Sequence, residues 1–280
     1  RSTGESFIDL LKALDRLETP MRQAARNLNK SFGNDSDCIA TAPHFGNIPN
    51  ATAESSVNEA KGERREGMDY RVRISSCEPN LLTDEIIDFV AASKHFAPHF
   101  HIPLQSGSNE VLKIMGRRYT RELFAERVRH IKEVMPHACI ACDIIAGFTG
   151  ESDQLFADAC HFVESLPISY LQVFTYSERP NTKSLSHTGK VPVSQRRERS
   201  RILHEISQKK KTEFYRENEQ QQRTVLWESD HHGTYMQGFT DNYIKVRTPY
   251  NEALVNQITP ALLTHLNNID GDDVFDCKII

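Results

Sequence analysis

The spacing of apolar residues opens with a helical stripe. In residues 5–18 Phe7, Leu10, Leu11, Leu14 and Leu17 recur at three- and four-residue intervals, which a 3.6-residue period gathers on one face. From 20 to 67 no period survives. Asn, Ser, Ala, Gly and charge dominate, and the stretch is predicted to be a disordered insertion. A cadence of strand, loop and helix starts at Tyr70. YRVRIS alternates like an edge strand, and Thr83 opens a helix through DEIIDFVAAS. FHIPLQSGS is a second strand, followed by a helix from about Asn109 and another after Thr120 that stops at Pro136. CIACDIIAGFTGES is a third, with a helix over 153–164, and YLQVFTY a fourth, running into SERPNT. Strands alternating with helices predict an α/β unit with a parallel sheet, open or rolled into part of a barrel.

Ser194 is predicted to cap a long polar helix whose apolar stripe is thin, with Ile202, Leu203, Ile206 and Phe214 its main members, and it reads as a connector. Beyond residue 220 short segments follow at even spacing: TVLWE, YMQGFT, YIKVRT, ALVNQI and FDCKII. They predict a small antiparallel β-barrel. The expected division is a helix of a truncated barrel at 1–19, the insertion at 20–67, an α/β unit at 68–193, the connector at 194–219 and the small barrel at 220–280.

A net charge of −4 and the lack of any apolar run near the roughly 20 residues of a membrane helix point to a cytoplasmic protein without membrane contact. The first residue is Arg1, which reads as a fragment or processed boundary. Six scattered cysteines do not form the framework of a small secreted domain, and reduced thiols are expected. Cys139 and Cys142 make a C-x-x-C, but an offset of three within a strand puts them on opposite faces, where they cannot share one metal. No H-E-x-x-H or G-x-S-x-G occurs, and His231-His232 are expected in a turn, so hydrolase readings are poor.

Ligands of parallel α/β sheets bind beyond the carboxyl ends of the strands. Four consecutive ends carry polar, flexible segments: Ser75-Ser76-Cys77-Glu78, Gln105-Ser106-Gly107-Ser108, Gly147-Phe148-Thr149-Gly150-Glu151 and Tyr176-Ser177-Glu178-Arg179. On one rim they favour a polar cofactor such as a nucleotide. His101 is as readily a core histidine as a substrate contact. Basic clusters at Arg117-Arg118, Arg127–Arg129, Arg196–Arg201 and Lys209–Lys211 suit either a nucleic-acid backbone or a solvated helix face. Tyr243, Lys245 and Arg247 alternate on YIKVR and share one face, as a single-stranded RNA platform would require, although Asp270, Asp272, Asp273 and Asp276 lie nearby.

The succession RISSCEPNLL, HIPLQSGSNEVLKIMGRRYT, DIIAGFTGES, YSERPNT and GFTDNYIKV resembles the methylthiotransferase family of radical S-adenosylmethionine enzymes, nearest to its MtaB-like branch. The resemblance covers 3–18 and 70–280 and implies the last strands, three to six, of a partial TIM-like barrel followed by a TRAM-like RNA-binding barrel. It implies addition of a methylthio group to N6-threonylcarbamoyladenosine beside the tRNA anticodon, with S-adenosylmethionine, [4Fe-4S] clusters and an electron donor. By matched position it implies cofactor contacts at Gln105, Ser106, Asp143, Gly147, Thr149 and Glu151, and RNA contacts at Arg117, Arg118, Arg179, Asn242, Tyr243, Lys245 and Arg247 in a monomer. No C-x3-C-x2-C stands in this sequence, so the chain alone is expected to be inactive. Thr149 replaces the proline usual in G-F-P-G-E. The competing expectations are a non-catalytic tRNA-binding remnant and a methylthiotransferase for another substrate such as isopentenyladenosine tRNA.

Overall fold

The computed structural model describes residues 6–16, 38–41, 70–180, 182–269 and 271–280, so the predicted insertion lies outside the described residues except for Cys38–Thr41. Helix α1 (Phe7–Asp15) starts in a capping box, the Ser6 hydroxyl accepting the Asp9 N–H while the Asp9 carboxylate accepts the Ser6 N–H. Its far end is tied down by polar contacts: the Asp15 carboxylate accepts from Ser93 and from His95, whose ring stacks on Tyr70 at 4.2 Å.

Strand β1 (Cys38–Thr41) pairs antiparallel with β2 (Arg73–Cys77). The strand expected to be an unpaired edge is therefore covered. Val72 also bridges Phe96 in parallel, leading into the next strand. Helix α2 (Asp84–Ala92) is capped by the Thr83 hydroxyl, as expected. Strands β3 (His99–His101), β4 (Cys139–Ala146) and β5 (Tyr170–Thr175) form a parallel sheet in that order. Helices α3 (Asn109–Met115), α4 (Arg121–Val134) and α5 (Asp153–Ser165) lie between them in sequence. One face of the sheet, carrying Phe100, Ile140, Cys142, Ile144 and Leu171, packs into a core with Phe124, Val128, Ile131 and Val163 from the helices.

Helix α6 (Val193–Glu217) is not a solvated connector. It covers the sheet, burying Leu203 and Ile206 together with Arg196, Arg199, Ser207 and Lys210. Ser207 Oγ donates to Leu171 O and accepts from Leu171 N–H, and Lys210 Nζ donates to Glu164 O and Leu166 O. Polar residues whose hydrogen bonds are met by backbone can line a buried face, which is why a thin apolar stripe underestimates it. Among the described residues no helix is long and apolar enough to cross a membrane.

The carboxy-terminal strands β6 (Gln222–His232), β7 (Tyr235–Thr240), β8 (Lys245–Pro249), β9 (Ile258–Ile269) and β10 (Asp272–Ile279) close into a barrel in the order β10-β8-β7-β6-β9. All pairs are antiparallel except β10 with β8, which run parallel. The expected strand ALVNQI is instead a 3-10 turn leading into β9, and His231 and His232 belong to β6 rather than to a turn. Pro260 lies inside β9, and a proline within an apolar run argues against a strand, so this one was not legible. Phe214 and Tyr215 from the end of α6 enter the barrel core beside Trp227, Val246 and Phe275.

The barrel docks under the amino-terminal ends of the parallel strands. Tyr243, at a left-handed φ of 69°, lies with its ring 4.7 Å from that of His99 and under the Arg73 guanidinium at 4.4 Å. Fully buried Asn242 donates from Nδ2 to His137 O at 2.9 Å and to Asn218 Oδ1 at 3.0 Å, and its Oδ1 accepts from Thr240 Oγ1. Arg71 donates to Phe239 O and to both oxygens of Thr224. These are buried, fully paired polar contacts, the kind that fix a register.

Candidate functional site

The opposite, carboxyl-terminal ends of the strands remain open. On β4, Asp143 and Ile145 alternate with the helix-facing residues and are less buried than they are. Their register neighbours on β5 are Gln172 and Phe174, the first exposed and the second 51% exposed. From β3, His101 Nε2–H donates to Asp143 Oδ1 at 2.7 Å, with both side chains partly accessible. His99, two residues earlier, sits beneath this patch with neither ring nitrogen hydrogen-bonded. Burial, reinforced by Arg73 and His101, pushes its pKa down to about 3, so it stays neutral.

Two tight segments form the rim. The chain leaving β3 turns at Gln105 with φ 66°, where its N–H donates to Asp143 O and its carbonyl accepts from Ile145 N–H. Ser106 follows, buried, its hydroxyl accepting the Ser108 N–H. The chain leaving β4 turns at Gly147, φ 75°, where a Cβ would stand 2.5 Å from Arg196 Cγ. Only glycine combines that conformation with that approach. The Gly147 N–H donates to Glu151 Oε2 at 2.8 Å, and the same oxygen accepts from Arg199 Nη1 at 2.9 Å. Burial raises the Glu151 pKa, against the lowering by Gly147 N–H and Arg199. Tyr176, past β5, packs edge-on against Phe148 at 4.8 Å, and its buried hydroxyl has no partner.

The structure thus brings Gln105, Asp143 and Gly147 together at neighbouring strand ends. Ser106, Thr149 and Glu151 are 1%, 1% and 5% exposed, so they shape the rim from behind and are not surface contacts. Among the expected RNA contacts, Asn242 is fully buried, with its amide bonded inside the junction. Tyr243 packs against His99 and Phe239 there instead of offering its ring as a platform. Arg117 pairs with Glu78 at 2.8 Å, Lys245 with Asp272 at 3.3 Å and Arg247 with Asp276 at 2.6 Å, while Arg118 and Arg179 are exposed. Neither the His101–Asp143 pair nor the place of Arg196 and Arg199 in the rim is legible in the sequence. Their partners lie about 20 to 50 residues away, and only the inward alternation of His101 and Asp143 carries a signal.

A nucleotide-like cofactor with a polar head fits this patch: backbone turns at left-handed φ and a partly accessible His–Asp pair border it. An iron-sulfur cluster does not fit the described residues. Cys139 lies in the barrel-side core and Cys142 in the helix-side core, as the opposite-face expectation required, and burial pushes Cys139 up to about 12, the reverse of what a thiolate ligand needs. Among the described residues no group of three His, Cys, Asp or Glu is placed to hold a metal ion.

Residues 46–163 match the sequence model of the Radical SAM superfamily. The threonylcarbamoyladenosine tRNA methylthiotransferase MtaB of Aquifex aeolicus is 38% identical over 176 residues, 63% of this chain and 42% of that protein. MtaB of Bacillus subtilis is 35% identical over 192 residues, 67% and 43%. The tRNA-2-methylthio-N(6)-dimethylallyladenosine synthase of Pelotomaculum thermopropionicum is 32% identical over 214 residues, 74% and 48%. The chain therefore spans less than half the length of these relatives.

Proposed function

We propose, from the premise that this chain belongs to the MtaB-like radical SAM methylthiotransferases, that it is the rim-and-barrel portion of an enzyme that methylthiolates the modified adenosine beside a tRNA anticodon. The open polar patch at the carboxyl end of β3-β4-β5 is the observation that carries the reading, because it lies within the matched stretch apart from β5 and is where α/β sheets take their ligands. S-adenosylmethionine, if held at the Gln105, Asp143 and Gly147 rim, would supply the radical that activates an inert C–H bond.

The chain's own residues supply position. Gln105 and Gly147 present backbone at close range, as a polar head group requires. Asp143, oriented by His101, offers a carboxylate oxygen to a hydroxyl or ammonium donor. Phe174, half exposed on the same face, offers a ring on which the target base can stack. The five-stranded barrel serves as the RNA-holding TRAM-like domain through Lys245 and Arg247, with Arg118 and Arg179 of the α/β unit as further backbone contacts.

Threonylcarbamoyladenosine is the favoured substrate on a narrow margin: two MtaB proteins are 38% and 35% identical and a third 31%, against 30–34% for the dimethylallyladenosine synthases. The test uses the full-length protein with its cluster, S-adenosylmethionine, and tRNA carrying either threonylcarbamoyladenosine or dimethylallyladenosine. Methylthio product on the first tRNA, read by nucleoside mass spectrometry, supports the reading. Product only on the second moves the chain to the other substrate, and RNA binding without product on either leaves a binding module.

A further inference from the structure

The rim segments after β4 and after β5 are anchored from outside as well as by their own neighbours. Two arginines of α6, one turn apart and outside the matched stretch 46–163, provide that outside anchor. Arg199 is 3% exposed. Its Nη1 donates to Glu151 Oε2 at 2.9 Å and to Glu151 O at 2.7 Å, and its Nη2 to Asp153 Oδ1 at 2.7 Å. The same Glu151 oxygen accepts the Gly147 N–H, so the guanidinium fixes the loop through one carboxylate. Arg196, 7% exposed, runs directly beneath Gly147. It donates from Nε to Val191 O at 2.7 Å, from Nη1 to Tyr176 O at 3.3 Å, and from Nη2 to Glu178 Oε1 at 3.1 Å. Gly150 N–H completes the frame by donating to Gly189 O.

We infer that Arg196 and Arg199 are positioning residues for the cofactor rim: a two-arginine clamp that ties the segments after β4 and after β5 to one rigid helix. The inference rests on the proposal that this rim binds S-adenosylmethionine. A planar guanidinium suits the task, because it donates in several fixed directions and stays charged when buried. Both arginines are more than nine-tenths buried and donate to loop carbonyls and carboxylates, so they act on ligand through the loops. The clamp also couples the rim to the barrel, since the same helix ends in Phe214 and Tyr215 inside the barrel core.

The test has two arms. In this 280-residue chain, hydrogen exchange at the amides of residues 147–151 is compared among wild type, Arg199→Lys and Arg199→Met. The clamp requires at least tenfold faster exchange of the Gly147 amide in Arg199→Met, partial recovery in Arg199→Lys, and little change at the β6–β10 amides. In the full-length, cluster-loaded protein, Arg199→Met is expected to raise the KM for S-adenosylmethionine about tenfold or more while leaving the KM for tRNA within twofold, with Arg199→Lys between. Unchanged exchange at Gly147 overturns the clamp. Equal losses in both KM values, or global loss of protection, would make the arginine a general structural residue and also overturn it. If wild type binds no S-adenosylmethionine, the reading of the rim fails, and the exchange arm still decides whether the clamp exists.

Discussion

The two ends of the same parallel sheet solve the same backbone problem with different outcomes. At the amino ends, Tyr243 in a left-handed conformation inserts an aromatic ring under His99, and Asn242 and Arg71 saturate the surrounding carbonyls. At the carboxyl ends, Gln105 and Gly147 are also left-handed, but the segments beyond them curl back on buried Ser106 and Glu151, leaving the patch around His101–Asp143 accessible. One end is plugged and the other is framed. β4 has 8 residues, so the two ends are separated by about 26 Å at the usual rise per strand residue, a distance that RNA would have to span if the barrel holds it and the rim acts on it.

The largest effect that would break this contrast is expected at the frame. Gly147→Ala must adopt φ 75° and relieve a 2.5 Å approach to Arg196. Left-handed strain of about 1–2 kcal/mol and a similar cost for moving a packed side chain predict a loss of about 3 kcal/mol, read by urea unfolding. Gly116→Ala is the control. Its φ is also 75° but nothing lies within 4 Å of the added carbon, so a loss near 1 kcal/mol is expected. Equal losses at both glycines would show that Arg196 yields without cost.

At the plug, Asn242→Leu removes the side-chain donor to His137 O and one of two partners each from Asn218 Oδ1, which keeps Arg223, and Thr240 Oγ1, which keeps the Ile244 N–H. Buried groups that lose a partner predict about 2–3 kcal/mol of lost stability, with hydrogen exchange rising first at the Val72 and Tyr243 amides and not at Gly147. Exchange rising equally at both ends would mean that the ends are not separate units.

The helices and strands of the α/β unit were legible because caps such as Thr83 and Ser152 and the apolar run of β4 speak locally. The junction was not. Asn242 and Tyr243 sit on a polar segment whose partners, His137 and His99, are more than a hundred residues away; alternation set Tyr243 on the face of Lys245 and Arg247, and resemblance alone put Asn242 among the RNA contacts. The rim was half legible. Gly147 announced a tight turn, but Glu151 reads as a ligand contact until Arg199 is found behind it. Lys245 and Arg247 were placed on one face, while the acids beside them proved to be their ion-pair partners.

A further effect should appear only in acid. His99 is held near pKa 3 in the folded chain against an ordinary 6.5, so between those values the unfolded chain takes up a proton that the folded chain refuses. Its contribution is intact above pH 6.5 and is lost as the pH falls toward 3. His99→Phe, which keeps a ring against Tyr243, is expected to flatten the fall in stability across that window, by up to about 1.4 kcal/mol per pH unit. An unchanged pH profile would mean that His99 already finds a proton partner in the plug.

The smallest effect on folding is expected on the barrel surface. Arg247 pairs with Asp276 at 2.6 Å and lies over the Tyr235 ring at 4.6 Å, yet both members of the ion pair are partly exposed. Screening by solvent predicts that Arg247→Ala costs less than about 1 kcal/mol of stability. Its informative readout is therefore binding. If the barrel holds tRNA through this face, the Lys245→Ala/Arg247→Ala double variant should weaken binding evenly across tRNAs and lower the salt dependence by about one to two released counterions. Asn242→Leu, which disturbs the plug, should leave that salt slope alone. A double variant with unchanged affinity and slope would take the RNA contact off the barrel and put it on the exposed Arg118 and Arg179, joining RNA and cofactor at one end of the sheet.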